Sequence, residues 1–359
     1  MKKLSTIDEV TALIREGGPP VLVHGGCTKT ALCHVDGEVN HVNLSGLDGI
    51  VEYEPSEYVF TARAGTTLQE INASLRQNGQ FLPFDPPLVE KGSTLGGMVA
   101  AGLSGPGSVR YGGLRDFIIG VRFANGDGKV VKGGGKVVKN AAGFDFPKFL
   151  AGSLGRLGIL LEITFKVFPE PEARLTLCFT SGSLLEGLEK LFKVNLSCWE
   201  PEALEMEADG RLFVRLAGDQ VGLSPRAEKV LEALGNGVVM EEGDAGAYWR
   251  DITNFSWADE SFSFAKVPVS ARLIAKLDEA LRPLGVLRRY ALSGNVAWLA
   301  WPDVERVVEI DVVLRKLELS GLILMGDGDG TIIGYRRDFT IQAQIKRALD
   351  PQGRFPALP

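Results

Sequence analysis

Apolar residues recur along the chain in two rhythms, one near 3.6 and one of 2, and their alternation predicts the elements. Residues 5–16 open on a Ser5 N-cap and an acidic Asp8, carry Val10, Leu13 and Ile14 as a stripe, and stop at Gly17-Gly18. Pro20–Val23 then reads as a short buried strand running into His24-Gly25-Gly26-Cys27-Thr28-Lys29. Strands are predicted at 39–44, 49–54 and 58–63. Thr67-Leu68-Gln69-Glu70 is a capping box for a helix with Leu68, Ile71 and Leu75 on one face. Ser93 or Thr94 caps a short helix over 95–101. Strands at 118–124 and 129–132 are joined by Asn125-Gly126-Asp127-Gly128, a strong hairpin signal. A strand over 159–168 is ended by Pro169-Glu170-Pro171, where a domain boundary is placed.

Beyond 171 the pattern changes. The order reads strand 174–180, helix 183–194, strands 202–207 and 211–217, helix 225–234 and strand 237–241. Ser224-Pro225 is taken as the start of the second helix and Gly235 as its stop. A second round follows: strand 262–269, helix 270–282, strands 286–292 and 295–301, helix 303–318, strand 321–325. This is βαββαβ twice, which predicts one antiparallel sheet with helices on one face. A helix over 338–349 closes the chain. The expected fold class is α+β, with domains at 1–170 and 171–325 and a segment 326–359 returning to the first.

Composition changes this picture in two ways. Glycine is 44 of 359 residues, and 18 of them fall within 92–158, where the backbone must turn sharply or approach something closely. Histidine numbers only 3, at His24, His34 and His41. A histidine-based triad or a multi-histidine metal site is therefore excluded from the rest of the chain. The net charge of -6 and the lack of a basic stripe argue against a nucleic-acid partner. The four cysteines form no CxxC pair, so an intrinsic iron–sulfur or zinc site has no support. They fit thiols in a reducing cytoplasm. No apolar run is long enough for a transmembrane segment, and MKKLSTIDEV has no signal-peptide core.

Three glycine segments carry the candidate chemistry. Successive N–H groups over His24–Lys29 make an anion nest, to which Thr28 and Lys29 add a hydroxyl and a charge. The same residues also fit an ordinary strand-to-helix turn. Lys91-Gly92-Ser93-Thr94-Leu95-Gly96-Gly97 suits a phosphate or a flat ring lying on backbone, or close helix packing. Gly152-Ser153-Leu154-Gly155-Arg156-Leu157-Gly158 is GxxGxxG, not the GxGxxG of a Rossmann fold, and no GxxxxGK[ST] phosphate loop occurs.

These segments, with Leu82–Pro87, Thr94–Pro106, Leu114–Phe117, Lys139–Asp145 and Leu150–Gly158, resemble the FAD-binding domain of the vanillyl-alcohol oxidase/p-cresol methylhydroxylase flavoprotein family. Within it the likeness is to the FAD-binding subunits of glycolate oxidase. The resemblance implies FAD as cofactor, noncovalently held. It makes His24, Gly25, Gly26, Cys27, Thr28 and Lys29 the pyrophosphate loop. It lays Gly92, Ser93, Thr94, Gly96, Gly97, Gly102, Ser104 and Gly105 along the ribityl and ring path. It puts Asn140, Gly143 and Phe144 near the flavin and Gly152, Ser153, Gly155, Gly158 and Ile159 at the adenosine end, and it adds Arg115, Asp116 and Lys139 to the cofactor-binding set. Cys27 and Phe144 depart from the pattern, where small residues or Ser, and Tyr, are usual.

The resemblance further implies partners: a second flavoprotein subunit and an iron–sulfur subunit, with a small 2-hydroxy acid, glycolate or D-lactate, as substrate. Related dehydrogenases carry histidines near the position of Gly326-Asp327-Gly328, but this sequence has none there. A base poised near neutrality is thus missing. That favours a subunit of a complex over a self-sufficient dehydrogenase; a non-catalytic scaffold that keeps the fold is the further alternative. Candidates for a carboxylate clamp are Arg115, Lys139, Arg288, Arg289, Arg336 and Arg337. The catalytic residues stay unassigned and no metal is expected.

Overall fold

The computed structural model describes residues 1–135, 144–326, 330–336 and 340–359. It divides into two units, one of Met1–Ser104, Gly113–Glu170 and Arg337–Pro359, the other of Gly105–Gly112 and Pro171–Arg336.

The first unit opens with β1 (Lys2–Lys3), β2 (Val21–His24) and β3 (Asn40–Asn43), a parallel sheet in the order β1-β3-β2. β4 (Ile50–Glu54), β5 (Val59–Arg63), β6 (Gln80–Phe81), β7 (Ile118–Ala124), β8 (Val130–Gly134), β9 (Ile159–Lys166) and β10 (Phe168–Pro169) follow. Five of these form an antiparallel sheet in the order β4-β5-β9-β7-β8, and β6 pairs with β10. The turn between β7 and β8 is the predicted one. Asn125 Oδ1 accepts from the amides of Asp127 and Lys129, and Gly128 takes φ +68°. The Ile7–Glu16 helix buries Val10, Leu13 and Ile14 against Val21, Val42 and the C-terminal Phe355. Its cap is Thr6 rather than Ser5: Thr6 Oγ1 accepts from Glu9 N, and the Glu9 carboxylate accepts from the Thr6 and Ser5 amides. The reciprocal capping box needs a Glu or Gln, long enough to reach back, three residues after the cap; Glu9 meets that from Thr6, whereas Ser5 has only the shorter Asp8 at that spacing.

The second unit holds one antiparallel sheet of β11 (Ala173–Phe179), β12 (Ala203–Glu207), β13 (Leu212–Gly218), β14 (Gly237–Val239), β15 (Ser263–Pro268), β16 (Leu287–Ala291), β17 (Val296–Trp301), β18 (Ser320–Met325) and β19 (Ile332–Gly334). Its order is β14-β11-β13-β12-β16-β17-β15-β18-β19. Each βαββαβ round places its first and third strands at the centre, and the rounds join where Met206 of β12 faces Tyr290 of β16. The duplication read from the element order is therefore real in topology, and the fold is α+β.

Two helices differ from the expectation. The helix predicted from Pro225 begins at Gln220, capped by Asp219, whose Oδ1 accepts from Gly222 N at 2.7 Å. Pro225 is inside it. The missing proline N–H deprives only the first-turn carbonyl of Val221, an exposed residue that water can serve. A helix over Glu242–Asn254 was not predicted. Gly243 and Gly246 dilute its propensity, and tertiary packing supplies the stability: Trp249 and Ile252 bury against Ala203 and Phe213, and Trp249 Nε1 donates to Thr176 Oγ1 at 2.9 Å. Thr176 alternates with Leu177 and Phe179, whose face meets Leu231 of the Gln220–Leu234 helix through Gly237. The extra helix thus covers the other side of the sheet.

Candidate functional site

Val21 and Leu22 bury in the first unit's core, and the β2 ladder runs out at His24, which pairs with Asn43. The chain then turns through Gly25 and Gly26 against the segment that caps the Leu95–Ala101 helix. A Cβ on Gly26 would fall well inside contact with the Gly92 carbonyl, and one on Gly25 would fall against Thr94 Oγ1. Only glycine permits this approach. Cys27 follows in the left-handed region at φ +51°. Thr94 holds the far side by accepting from Gly97 N at 3.2 Å. Gly96 N bonds Ala64 O at 2.8 Å, where a side chain at 96 would displace the helix from β5.

Two clefts share the wall made by His24, Gly25, Thr94, Gly97, Ala100 and Leu154. One, of about 520 Å³, runs along Gly26–Lys29 and Cys33. The other, of about 460 Å³, runs past Gly96, Gly155, Gly158 and Ile159. Leu154 enters the wall at φ +53° between Ser153 and Gly155.

Their electrostatics are one-sided. No acidic side chain lines either cleft among the described residues. Lys29 is 9% exposed, and its ammonium donates to Thr28 Oγ1 at 2.9 Å and Ser93 Oγ at 3.2 Å, with no carboxylate partner among the described residues. Burial pulls its pKa down to about 8. Arg156 is 1% exposed; it donates from Nη2 to Leu32 O, while Nε and Nη1 find no acceptor among the described residues. Ser153 Oγ is likewise without a partner. Buried donors of this kind are rare and call for an anion. His24 Nε2 lies 2.8 Å from His41 Nδ1, so the two rings share one proton, and burial together with His41 holds His24 below the usual histidine range.

The structure gathers most of the residues singled out in the sequence. His24–Lys29, Thr94, Gly96, Gly97, Gly155, Gly158 and Ile159 line the two clefts. Gly92 and Ser93 back the first cleft through the Gly26 and Lys29 contacts. Gly102 packs on Gly152, so closely that a Cβ on Gly102 would lie 2.9 Å from Gly152 Cα, and it acts behind the wall. Ser104 Oγ accepts from Leu114 N, and Asp116 Oδ2 accepts from Gly113 N, so both shape the chain there rather than line a cleft. Arg115 is exposed, and Gly105 belongs to the second unit. Phe144 is exposed and packs on Phe146 and Phe149. Lys139, Asn140 and Gly143 lie outside the described residues, as do Arg337 and Asp327. Of the clamp candidates, Arg288 is taken up by Asp278 at 2.5 Å and Arg336 donates to Ile332 O.

Sequence reasoning missed Arg156 and the partners of His24 and Gly25. An arginine between two glycines and a leucine in an otherwise apolar run was a usable signal. His41, and Asn43, whose Nδ2 donates to Gly25 O at 3.3 Å, were not legible, because the register of β2 against β3 brings them in.

A tight glycine turn after β2, two buried cations that meet no acid among the described residues and glycine walls made for close approach fit a flat dinucleotide carrying a diphosphate. Together with the α+β scaffold they define an FAD-binding flavoprotein. A family profile described as "FAD binding domain" matches residues 2–134. The chain is 32% identical over 345 residues to glycolate oxidase subunit GlcE of Escherichia coli (strain K12), covering 94% of this chain and 91% of that subunit. The chain belongs to this family of FAD-binding oxidoreductases. Glycolate oxidase subunit GlcD of Bacillus subtilis (strain 168) is 26% identical over 88% of this chain, which spans 64% of that subunit. A D-lactate dehydrogenase of Anaerostipes hadrus is 29% identical over 46% of this chain and 34% of its own length. The solved structure of an alkyldihydroxyacetonephosphate synthase superposes with a TM-score of 0.75 at 15% identity, covering 99% of this chain and 76% of that one, and shows the shared fold.

Proposed function

We propose that this chain is the FAD-binding subunit of a glycolate oxidase-like complex that oxidises a small 2-hydroxy acid, glycolate or D-lactate, to the 2-oxo acid. A second flavoprotein subunit and an iron–sulfur subunit take the electrons onward. The observation that carries this reading is the end-to-end match to GlcE, 94% of this chain on 91% of that subunit, beside only 64% of GlcD. The FAD is noncovalent, and the protein works in the cytoplasm, reaching a membrane only through its partners. No helix among the described residues is long and apolar enough to cross one.

When bound, the flavin supplies an acceptor for two electrons and a proton. The chain's own residues bind and orient it. The His24–Lys29 amides and Lys29 Nζ would hold the diphosphate, with Arg156 charging the floor beneath. Gly96, Gly97, Gly155 and Gly158 would let the rest of the cofactor lie on backbone. The chain's three histidines all precede residue 42, and His24 and His41 are engaged with each other. A base for the substrate hydroxyl is therefore assigned to the assembled complex.

Lys29 gives this reading a pH signature. Below pH 8 its ammonium is charged and meets the diphosphate directly. Above it the cofactor-free chain has lost that proton and must take it up on binding. FAD affinity is therefore expected to fall by about tenfold per pH unit above pH 8. Calorimetry in buffers of different ionisation heat should show uptake of one proton at pH 9. Lys29→Met should flatten the profile, whereas an unchanged slope would remove Lys29 from the diphosphate site.

The function is tested by coexpression with candidate partner subunits and anaerobic addition of glycolate and D-lactate. Bleaching of flavin in the complex, together with recovery of iron and sulfide, supports the reading. Full bleaching in the isolated chain would favour the self-sufficient dehydrogenase. A complex whose turnover survives loss of this chain's FAD would favour the scaffold.

A further inference from the structure

The two cofactor clefts lie between segments of different sheets. One wall is β2 with the loop that follows it; the other is 154–160, which leads into β9. β2 pairs with β3, and β9 with β5 and β7, so no strand ladder among the described residues joins the two walls. Residues 346–355 span them instead. Val21, the first residue of β2, donates its amide to Arg354 O at 2.7 Å. On the other side Lys346 Nζ donates to Arg156 O at 2.7 Å. Phe355 is buried in a core that holds Val21 and Val42 of one sheet and Ala124, Ile159 and Leu161 of the other.

Lys346 is the centre of this span. An ammonium has three protons to donate. Here each finds its own acceptor: Arg156 O, Asp350 Oδ2 at 2.5 Å and Phe355 O at 2.9 Å. Burial and the nearby Arg156 guanidinium pull the Lys346 pKa below the usual lysine range, against the opposing pull of Asp350. Arg156 carries the contact onward. Its backbone is held by Lys346, and its guanidinium reaches Leu32 O at 3.2 Å, in the lining of the first cleft. The Thr340–Leu349 helix that carries Lys346 buries none of its own side chains. A helix of 10 residues is marginal alone, so these anchors hold it rather than a packed face. Such an element opens at low cost compared with the core.

We propose that residues 346–355 form a clasp that sets the spacing of the two cleft walls, with Lys346 as a positioning residue acting through Arg156, and that closure of the clasp is coupled to FAD binding. The proposal rests on the assignment of these clefts to FAD made above. Coupling of this kind is reciprocal: the factor by which an open clasp weakens FAD is the factor by which bound FAD holds the clasp shut.

The test uses the full chain, stripped of FAD and titrated with it by quenching of flavin fluorescence. Lys346→Met should raise the FAD dissociation constant by about tenfold while the far-UV circular dichroism stays native. Arg156→Met should weaken FAD as well. Adding Lys346→Met to it should cost about threefold more at most, because the clasp acts through Arg156. A purely structural Lys346 would lower the melting temperature and leave the affinity of the folded chain unchanged. Hydrogen exchange on the parent needs no variant, and it decides alone if Lys346→Met does not fold. Saturating FAD should slow exchange at the Arg354 and Phe355 amides, both bonded to Asp350, by about fivefold or more, and exchange in β13 of the second unit by less. Equal FAD affinity in parent and folded Lys346→Met, full additivity of the two substitutions, or equal slowing at the clasp and in β13 would each overturn the clasp and leave the FAD site standing. A parent chain that takes up no FAD would overturn both.

Discussion

Gly26→Val is expected to weaken FAD binding by roughly 30- to 150-fold, equivalent to about 2–3 kcal/mol of overpacking. The argument starts from the loop's place between β2 and the residues before the Leu95–Ala101 helix. Gly26 lies against the Gly92 carbonyl so closely that any Cβ must push one segment off the other. Gly92 cannot yield easily, because it sits at φ +84°, its amide bonds Val89 O, and the next residue, Ser93, carries a hydroxyl bonded to Lys29. The displacement therefore falls on the 24–29 loop and on the Lys29 ammonium, which are the parts assigned to the diphosphate. The hydrophobic core is not touched: Val21 and Leu22 precede the loop and keep their burial. Far-UV circular dichroism should stay native while the FAD dissociation constant rises. A variant that folds and holds FAD as tightly as the parent would show that the cofactor does not depend on this approach.

Arg354→Met carries the largest expected effect on stability. Arg354 is 4% exposed, and its guanidinium donates to the carbonyls of Leu13, Ile14, Gly17, Gly18 and Pro19 at and beyond the end of the first helix. Those are the orphan acceptors that every helix C-terminus leaves. Here they are satisfied by a side chain from the far end of the sequence, 340 residues beyond Ile14. Asp350 fixes the arginine in turn, accepting from Arg354 N at 2.6 Å and Phe355 N at 2.9 Å, and pairing with Lys346 at 2.5 Å. Lys346 also donates to Arg156 O and Phe355 O, tying the tail to the segment that walls the cofactor clefts. Methionine would fill the space and leave several carbonyls buried and unpaired, at a cost of about 3–4 kcal/mol. For a unit of this size that lowers the melting temperature by roughly 10 °C. Guanidinium titration should show the loss in the midpoint with little change in slope. A melting point within two or so degrees of the parent, taken as roughly half a kcal/mol, would contradict it.

What could be read from sequence, and what could not, divides along physical lines. Elements specified by local chemistry were legible. The Asn125–Gly128 hairpin is set by backbone preference within four residues, and the Thr67 cap by a hydroxyl followed three residues later by an acid. The glycine segments announced close backbone approach, and the structure shows what approaches what: Gly25 and Gly26 against Gly92–Thr94, Gly96 against Ala64, Gly102 against Gly152. The double βαββαβ order was also visible, since alternation of period and turn residues is enough to count elements.

Interactions made by register and tertiary packing were not legible. His24 and His41 meet only because β2 and β3 pair in parallel with that offset. Arg156 reads as one more surface cation until its guanidinium is found buried beneath the Leu32 carbonyl. The Glu242–Asn254 helix has two glycines in its first turns and forms because Tyr248, Trp249 and Ile252 have a sheet to lie on: Tyr248 stacks on Phe213 at 3.9 Å. Pro225 suggested a helix start because proline belongs in a first turn, but Asp219, earlier in the chain, offers a better cap.

The central claim is that the acid-free clefts between the 24–29 loop and the 92–97 and 154–159 segments hold one noncovalent FAD. The most direct measurement is the cofactor content of the purified full chain, read as the flavin absorbance of the native protein and of the supernatant after denaturation. One FAD per chain, released intact into the supernatant, is the predicted result. A folded chain that neither carries FAD nor takes it up when reconstituted below pH 8 would contradict the claim.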